Sequence, residues 1–566
     1  MQYQTTRNQK QLYSFTEMMR INVPIEGGYF VPETMPLLSD EFLNSLIPLN
    51  FLERAKKIFG LFAVDLNENQ ISDICETAWR QDFENGVLPE SKTLNPYLEN
   101  PLFVFMDNGK TGSYLDFINS FLLSIIQQLS KDDEKWYLLS NEKNANTKSL
   151  LALDFDPQKY IPLLLINSRN TNNFTLREMQ YVWNENRYQK ERVEENLNDS
   201  LSSNFENSED DNLIENAEAF ENEDSVLKIN KDTDKLSDSN LSNKIIDFTD
   251  EFTEQNKLSV FRIKADIREF EKIAEKIFWN TELRKKINAE NKFIYHMGSL
   301  NFAYYIALII ILISAYLDLI EQEQLNGSDD FTFAFPNNNL DFLYVSILLK
   351  EMGLPISTLC LTTNQNNSIV DFLQKGILKE NRKFFKTNTE GLDQIYFTNL
   401  ERFIFEIVNR DVEKTEQALI ETTGNQNETL INILRDFKNV IKTASISNKR
   451  ANKQIEDWYL RTDYLMDPYT ALVLEQLSQN NKTQYDAEKI IIPVIEHPLL
   501  SSQTMAEAIF PKNKIKRKPF YQIMNLVSEE SGLTAPISTN STKATPEIIY
   551  AEINDLISKL EEFLLD

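Results

Sequence analysis

The chain has 566 residues, 42% of them hydrophobic and 11% aromatic, enough for a large core spread over several domains. Its formal charge of −28 argues against a general nucleic-acid binder, which needs a basic face. Two cysteines (Cys75, Cys360) and two histidines (His296, His497), far apart in the sequence, leave no disulfide framework and no zinc motif, so no metal is expected. In chain order, MQYQTTRNQKQLYSF lacks the apolar run of a signal peptide, which points to the cytoplasm. Residues 39–64 carry apolar residues at helical spacing, with Ser39 or Asp40 as cap, and 67–83 reads as a second amphipathic helix. PLFVFMD, 101–107, reads as a strand running into a Gly-containing turn, and 115–130 as a helix with a buried face. KYIPLLLINSR, 159–169, is a second apolar strand.

Residues 191–240 break the pattern. They hold 16 Asp/Glu against 4 Lys/Arg, net 4 − 16 = −12, with no Gly, Pro or Trp. Such a tract buries too little apolar surface to fold alone and is expected to be disordered, either a tolerated surface insertion or a tail for a protein partner. Strand and helix then alternate again: a strand at 257–265, a helix at 267–280, a strand at 331–336, a helix at 339–353 ending at Gly353, and a strand at 356–364. This alternation predicts a mostly parallel sheet covered on both faces. Residues 398–411 and 551–566 read as helices and 529–546 as a loop. FAYYIALIIILISAYL, 302–317, is uncharged but short for a bilayer span and is followed by Asp318 and Glu321, so it reads as a core helix, and no membrane is expected. GKTGS, 109–113, follows a strand, but Val104 stands where a phosphate-binding P-loop needs glycine.

Several segments, in order, resemble one family. TTRN at 5–8 and EGGYFVPETMP at 26–36 are similar to STRN and DGGLYVPExxP of threonine synthase. FTLREMQ at 174–180 is similar to VSPIQEAQM, and GSLNFAYYIA at 298–307 to NSINWARIxA. FAFPNNNLDFLYVSILLKEMGLPI at 333–356 is similar to VPTGNFGDxxAGxxAKxMGLPI, and TTNQNNSIVDFLQKG at 362–376 to ATNENDxLxxFxxTG. NLERFIFEIVNRD, YLMDPYTA at 464–471 and EHPLLSSQTMAEAI at 496–509 resemble NFERLLFELxGRD, xLIDPHTA and AHPAKFPEAVxxAL. The resemblance covers nearly the whole chain outside the acidic tract. It implies an α/β, tryptophan synthase β-like (fold type II) architecture with residues 1–92 as the family's N-terminal domain. Residues 93–186 and 258–510 would form the two-subdomain core, 187–257 the acidic insert, and 511–566 a C-terminal extension ending in a helix.

The family converts O-phosphohomoserine to threonine and phosphate with pyridoxal phosphate (PLP) held by a lysine. Laid on the family's HGPTxAFKDF, MDNGKTGSYLDF at 106–117 matches at Thr111, Asp116 and Phe117 but places Leu115 on the lysine. A leucine forms no Schiff base. Lys110 is the nearest substitute and reads as a solvated turn lysine. The glycine loop GATSGDTGSA falls on LSNEKNANTKSL, 139–150, which has no glycine. GNFGD is replaced by Asn338, Asn339, Leu340, Asp341 and Phe342. The residue expected to meet the pyridine nitrogen falls on Ile495, and family cations fall on Leu500 and Tyr304. Matched positions such as Gly27, Gly28, Pro32, Glu401, Arg402, Asp467 and Pro468 read as structural. The resemblance therefore implies a catalytically silent homologue, with no cofactor and no catalytic residue, acting as scaffold, partner or ligand-binding protein. The alternative is a divergent active threonine synthase that uses PLP.

Overall fold

Three sheets organise the chain in the computed structural model, which describes residues 1–79, 90–92, 101–141, 144–167, 175–184, 258–337, 339–376, 378, 382–423, 428–479, 489–537 and 546–565. The acidic tract 187–257 and Asn338 lie outside the described residues. A small antiparallel sheet at the N-terminus has the order β2 (Asn8–Tyr13), β1 (Tyr3–Thr5), β3 (Phe30–Pro32). The six-stranded sheet runs β12 (Ile441–Ser445), β11 (Ile356–Thr363), β10 (Phe331–Pro336), β13 (Lys489–Val494), β5 (Leu102–Phe105), β4 (Glu90–Lys92). All its pairs are parallel except β4 with β5. The five-stranded sheet is parallel throughout, in the order β14 (Glu547–Glu552), β8 (Ser259–Lys264), β7 (Tyr160–Asn167), β6 (Lys135–Ser140), β9 (Lys292–His296). FTFAFP of β10 and LFVF of β5 are buried at every residue, as expected of parallel strands covered on both faces.

Three expected elements differ in extent. The apolar run 39–64 forms two helices, Asp40–Leu46 and Phe51–Phe62, because Pro48 removes an N–H and disfavours a helical residue before it. Ser39 caps the first and Asn50 the second, each side chain accepting from the N–H three residues on. The run 267–280 is split likewise, into Ile267–Glu271 and Ile273–Phe278. The run 551–566 is a helix only over Leu556–Leu565, because Ala551 and Glu552 finish β14, which hydrogen-bonds along the edge of β8.

The apolar run at 302–317 is the helix Ala303–Glu321, long and apolar enough to cross a membrane but enclosed by this fold. It packs on the helices Phe51–Phe62, Leu115–Leu129 and Asp341–Glu351. Its C-terminal end is held by Arg54, itself only 2% exposed. Arg54 donates to the carbonyls of Leu46 (3.0 Å), Ile47 (2.7 Å) and Ser314 (3.2 Å) and pairs with Asp318 and Glu321. A cation there complements the helix dipole, and its donors are all used, so burial is tolerated. Cys75 and Cys360 are buried and unpaired with each other.

Candidate functional site

The turn after β5 is built around one carboxylate. Thr111 donates through its backbone N–H (2.8 Å) and its hydroxyl (2.6 Å) to Asp116 in the first turn of the helix Leu115–Leu129. Burial raises the Asp116 pKa, and the Thr111 bonds oppose that rise. Gly112 (φ +75°) lies so close to His497 and Pro536 that a Cβ would stand 2.8 and 2.7 Å from their side chains. The Tyr114 N–H donates to the Ile495 carbonyl at 3.1 Å, and the His497 N–H to the Gly112 carbonyl at 2.8 Å. The GKTGS segment is thus consumed in tying the turn to its own helix and to the end of β13. Leu115 opens the helix and is 6% exposed, with its N–H donating to Ser113 Oγ at 3.3 Å. Lys110 is exposed on the turn.

The loop after β10 faces this turn. Asn339 (φ 52°) and Leu340 (φ 64°) are both left-handed, the second at a cost that glycine would not carry, and Leu340 is 1% exposed. Asp341 then starts the helix Asp341–Glu351 and accepts from Tyr304 Oη (3.0 Å), Tyr305 Oη (3.0 Å) and Asn399 Nδ2 (2.8 Å). Tyr304 Oη is also 2.7 Å from Tyr114 Oη, so a buried chain Tyr114–Tyr304–Asp341 joins the two loops. Asn339 donates to Ser299 Oγ (3.0 Å) and Thr398 Oγ1 (2.7 Å), and Asn399 donates to Ser299 Oγ (3.1 Å). Arg402, fully buried, donates to the carbonyls of Ser299 (2.5 Å) and Leu300 (2.7 Å) and stacks over Tyr29 and Tyr305. Phe342 packs against Tyr114 and Phe335.

Of the residues singled out in sequence, Leu115, Asn339, Leu340, Asp341 and Ile495 are brought around one centre, and Asn338 lies outside the described residues. Tyr114, Tyr305, Ser299 and Asn399 were missed there. Their polar partners lie up to 190 residues away, and no local pattern marks them. The segment 139–150 meets the centre through Asn146, which donates to the Met297 carbonyl (2.6 Å), while Asn119 donates to Asn146 Oδ1 (2.8 Å) and Ser149 Oγ (3.0 Å). Lys148 in the same helix pairs with Glu178 at 3.0 Å.

At the end of β13, Ile495 is 4% exposed and Glu496 is half-buried, accepting from Ser501 Oγ at 3.0 Å. Burial, with Asp467 nearby, pushes the Glu496 carboxyl up to about 7. Asp467 accepts from the N–H of Tyr469 (2.8 Å) and Thr470 (3.0 Å) and is itself pushed up to about 6 by burial. Burial holds His497 down at about 4, leaving it neutral at pH ~7. Among the described residues, no group of three or more His, Cys, Asp or Glu is placed to hold a metal ion.

Gly28 and Glu401, two of the residues read as structural, meet at a second junction. Thr6 Oγ1 donates to Glu401 (2.5 Å), and Arg7 forms a fork with the same carboxylate at 3.0 and 2.8 Å. The Tyr29 N–H donates to Thr6 Oγ1 at 3.0 Å. TTRN, EGGYF and NLERF, separated by almost 400 residues, are therefore one joint.

Parallel sheets joined by helices, with a centre at the carboxyl ends of β5, β10 and β13, give this chain the architecture of solved threonine synthases. The structure superposes on PLP-bound threonine synthase from Brucella melitensis with a TM-score of 0.67, covering 99% of each chain at 14% identity. On the yeast enzyme the TM-score is 0.66 at 16% identity, covering 100% of this chain and 98% of that one. Residues 2–79 match the family model described as threonine synthase N terminus. The chain is 21% identical over 424 residues to threonine synthase of Methylobacillus glycogenes, covering 74% of this chain and 73% of that one. It is 30% identical over 115 residues to mouse threonine synthase-like 1, a match spanning only 20% of this chain and 15% of the mouse protein. Over most of its length the chain is thus a distant relative of threonine synthases, and its N-terminal region carries their family pattern.

The residues present do not fit that fold's cofactor. Leu115 carries no amine, and Ile495 has no hydrogen-bonding side chain. Asp341 and two tyrosine hydroxyls, bonded to one another, fill the space between the loops. A fixed carboxylate there repels a phosphate.

Proposed function

We propose that this threonine synthase-like chain is catalytically silent and serves as a scaffold, a partner subunit or a ligand-binding protein. The observation that carries this reading is Leu115, a buried leucine opening the helix where the family resemblance places the cofactor lysine. The Tyr114–Tyr304–Asp341 chain supports it, because restoring a phosphate cradle would require all three to move. The acidic tract, net −12 over 191–240, would offer a basic partner a contact outside the silent centre.

The absorbance spectrum of the purified protein, with and without added PLP, tests the reading. No visible band of a lysine-bound cofactor is expected, and no phosphate release from O-phosphohomoserine; either signal overturns the proposal. Leu115→Lys alone leaves the spectrum unchanged, since Asp341 and the tyrosines still occupy the space between the loops.

A further inference from the structure

A cavity of about 190 Å³ opens at the start of the helix Ser368–Lys375, lined by Asn366, Asn367, Ser368, Arg382, Lys383 and Gln394 among others. That is room for roughly six waters at ~30 Å³ each, or for a small anion. Its donors are unspent. The first backbone bond of the helix runs from the Asp371 N–H to the Asn367 carbonyl, and the N–H groups of Ser368, Ile369 and Val370 have no partner among the described residues. Asn367 stands at the cap position without capping, because its Oδ1 accepts from Arg382 instead at 2.8 Å. The Ser368 hydroxyl is an independent sign. The residue is 3% exposed and lines the cavity, yet its Oγ has no hydrogen-bond partner. Buried hydroxyls are almost always partnered.

The charge at this mouth is positive. Arg382 spans the first turn by pairing with Asp371, and the exposed Lys383 lies over the Phe385 ring at 5.0 Å. The neighbouring carboxylates are committed. Asp371 holds Arg382 and Lys375, and Asp393 accepts from Asn364 (2.8 Å), Asn366 (2.9 Å) and the Thr387 N–H (2.8 Å). Free N–H groups at the positive end of a helix dipole, a buried hydroxyl and two cations make a receptor for a compact oxyanion.

We propose that this cavity binds a phosphate group, free or as the headgroup of a small phosphate monoester. Its oxygens accept from the Ser368 and Ile369 N–H groups, Ser368 Oγ and the Arg382 guanidinium, with Lys383 supplying charge from the rim. Gln394, on the same wall, accepts the Asn339 N–H at 2.9 Å, so occupancy is felt at the loop before Asp341. The site needs neither Leu115 nor a cofactor, so its fate is separate from that of the silent-enzyme reading.

The test titrates the full chain with inorganic phosphate and with O-phosphoserine, against chloride at matched ionic strength, by calorimetry and thermal midpoint. Saturable binding is expected, weakened roughly tenfold in Ser368→Ala and about threefold in Lys383→Ala, and kept in Ser368→Thr. Lys383 is exposed, so its variant remains informative if a Ser368 variant fails to fold. Tighter binding of O-phosphoserine assigns the site to a phosphorylated small molecule; equal or tighter binding of inorganic phosphate assigns it to the free ion. No saturable binding beyond chloride, or affinities unchanged in both alanine variants, overturns the proposal.

Discussion

Glu401 shows how one side chain can hold distant pieces of sequence together. Its carboxylate accepts from Thr6 and from both arms of Arg7, and the same corner admits only a glycine at position 28. Gly28 has φ +74°, and a Cβ there would lie 2.6 Å from Thr6 Oγ1 and 3.1 Å from Glu401 Oε1. Gly28→Ala therefore incurs both backbone strain and a clash inside an ion-pair network, a cost of about 3 kcal/mol, read as a lower denaturant midpoint. The matching residues TTRN, EGG and NLER were legible because each is a short local pattern. Their joint was not, because it closes across almost 400 residues. Leu340 is the converse case: nothing in its own residue type announces a left-handed conformation, and the fold enforces it through the buried contacts on either side.

At the scale of elements, strands and helices follow from apolar runs and their spacing, and the differences have one local and one long-range cause. Pro48 divides one helix. At the other end of the chain, EIIYAE has the alternation of a strand, yet local spacing assigns 547–550 to no element and 551–552 to the last helix, because the partner β8 lies almost 290 residues earlier. Once paired, β14 covers the edge of β8, and the following helix lays Leu556, Leu560 and Leu564 onto the core beside Phe261 and Ile263. Leu560 is fully buried, so Leu560→Ala is expected to cost about 3 kcal/mol and to lower the unfolding midpoint in urea. A midpoint unchanged from wild type would show that the C-terminal helix is not part of the cooperative unit. The helix Ala303–Glu321 makes the same point in reverse. Composition alone leaves open a bilayer or a core, and Arg54 with its carbonyl partners belongs to the second.

Over the whole molecule, desolvation raises several carboxyls so that they keep their protons well above the usual carboxylate range. Burial pushes Glu275 from 4.5 up to about 7, even though Tyr29 (2.5 Å) and Tyr396 (3.1 Å) donate to it; Glu401 adds to the rise and Lys272 opposes it. Glu496 is raised to the same level. Between pH ~4.5 and ~7 the unfolded chain has released these protons while the folded chain retains them, so the native state binds more protons and stability falls as pH rises. A rise from 4.5 to about 7 corresponds to ~3 kcal/mol for one group. Glu275→Gln is expected to flatten that group's share of the fall, measured by urea unfolding at pH ~5 and ~8. Equal slopes for variant and wild type would count against a neutral Glu275.

The sequence by itself determined the family frame and the mismatch at its heart. Both are properties of residue identity: periodic apolar runs specify strands and helices, and leucine and isoleucine side chains carry neither an amine nor a hydrogen-bonding group wherever they sit. Only the tertiary structure decided what replaced that chemistry. The Tyr114–Tyr304–Asp341 chain, the Thr6–Glu401 joint and the unpartnered Ser368 hydroxyl each depend on which atoms meet, or fail to meet, after distant segments pack. Hydrogen bonds act over about 3 Å of space whatever the separation along the chain, and no local pattern encodes them.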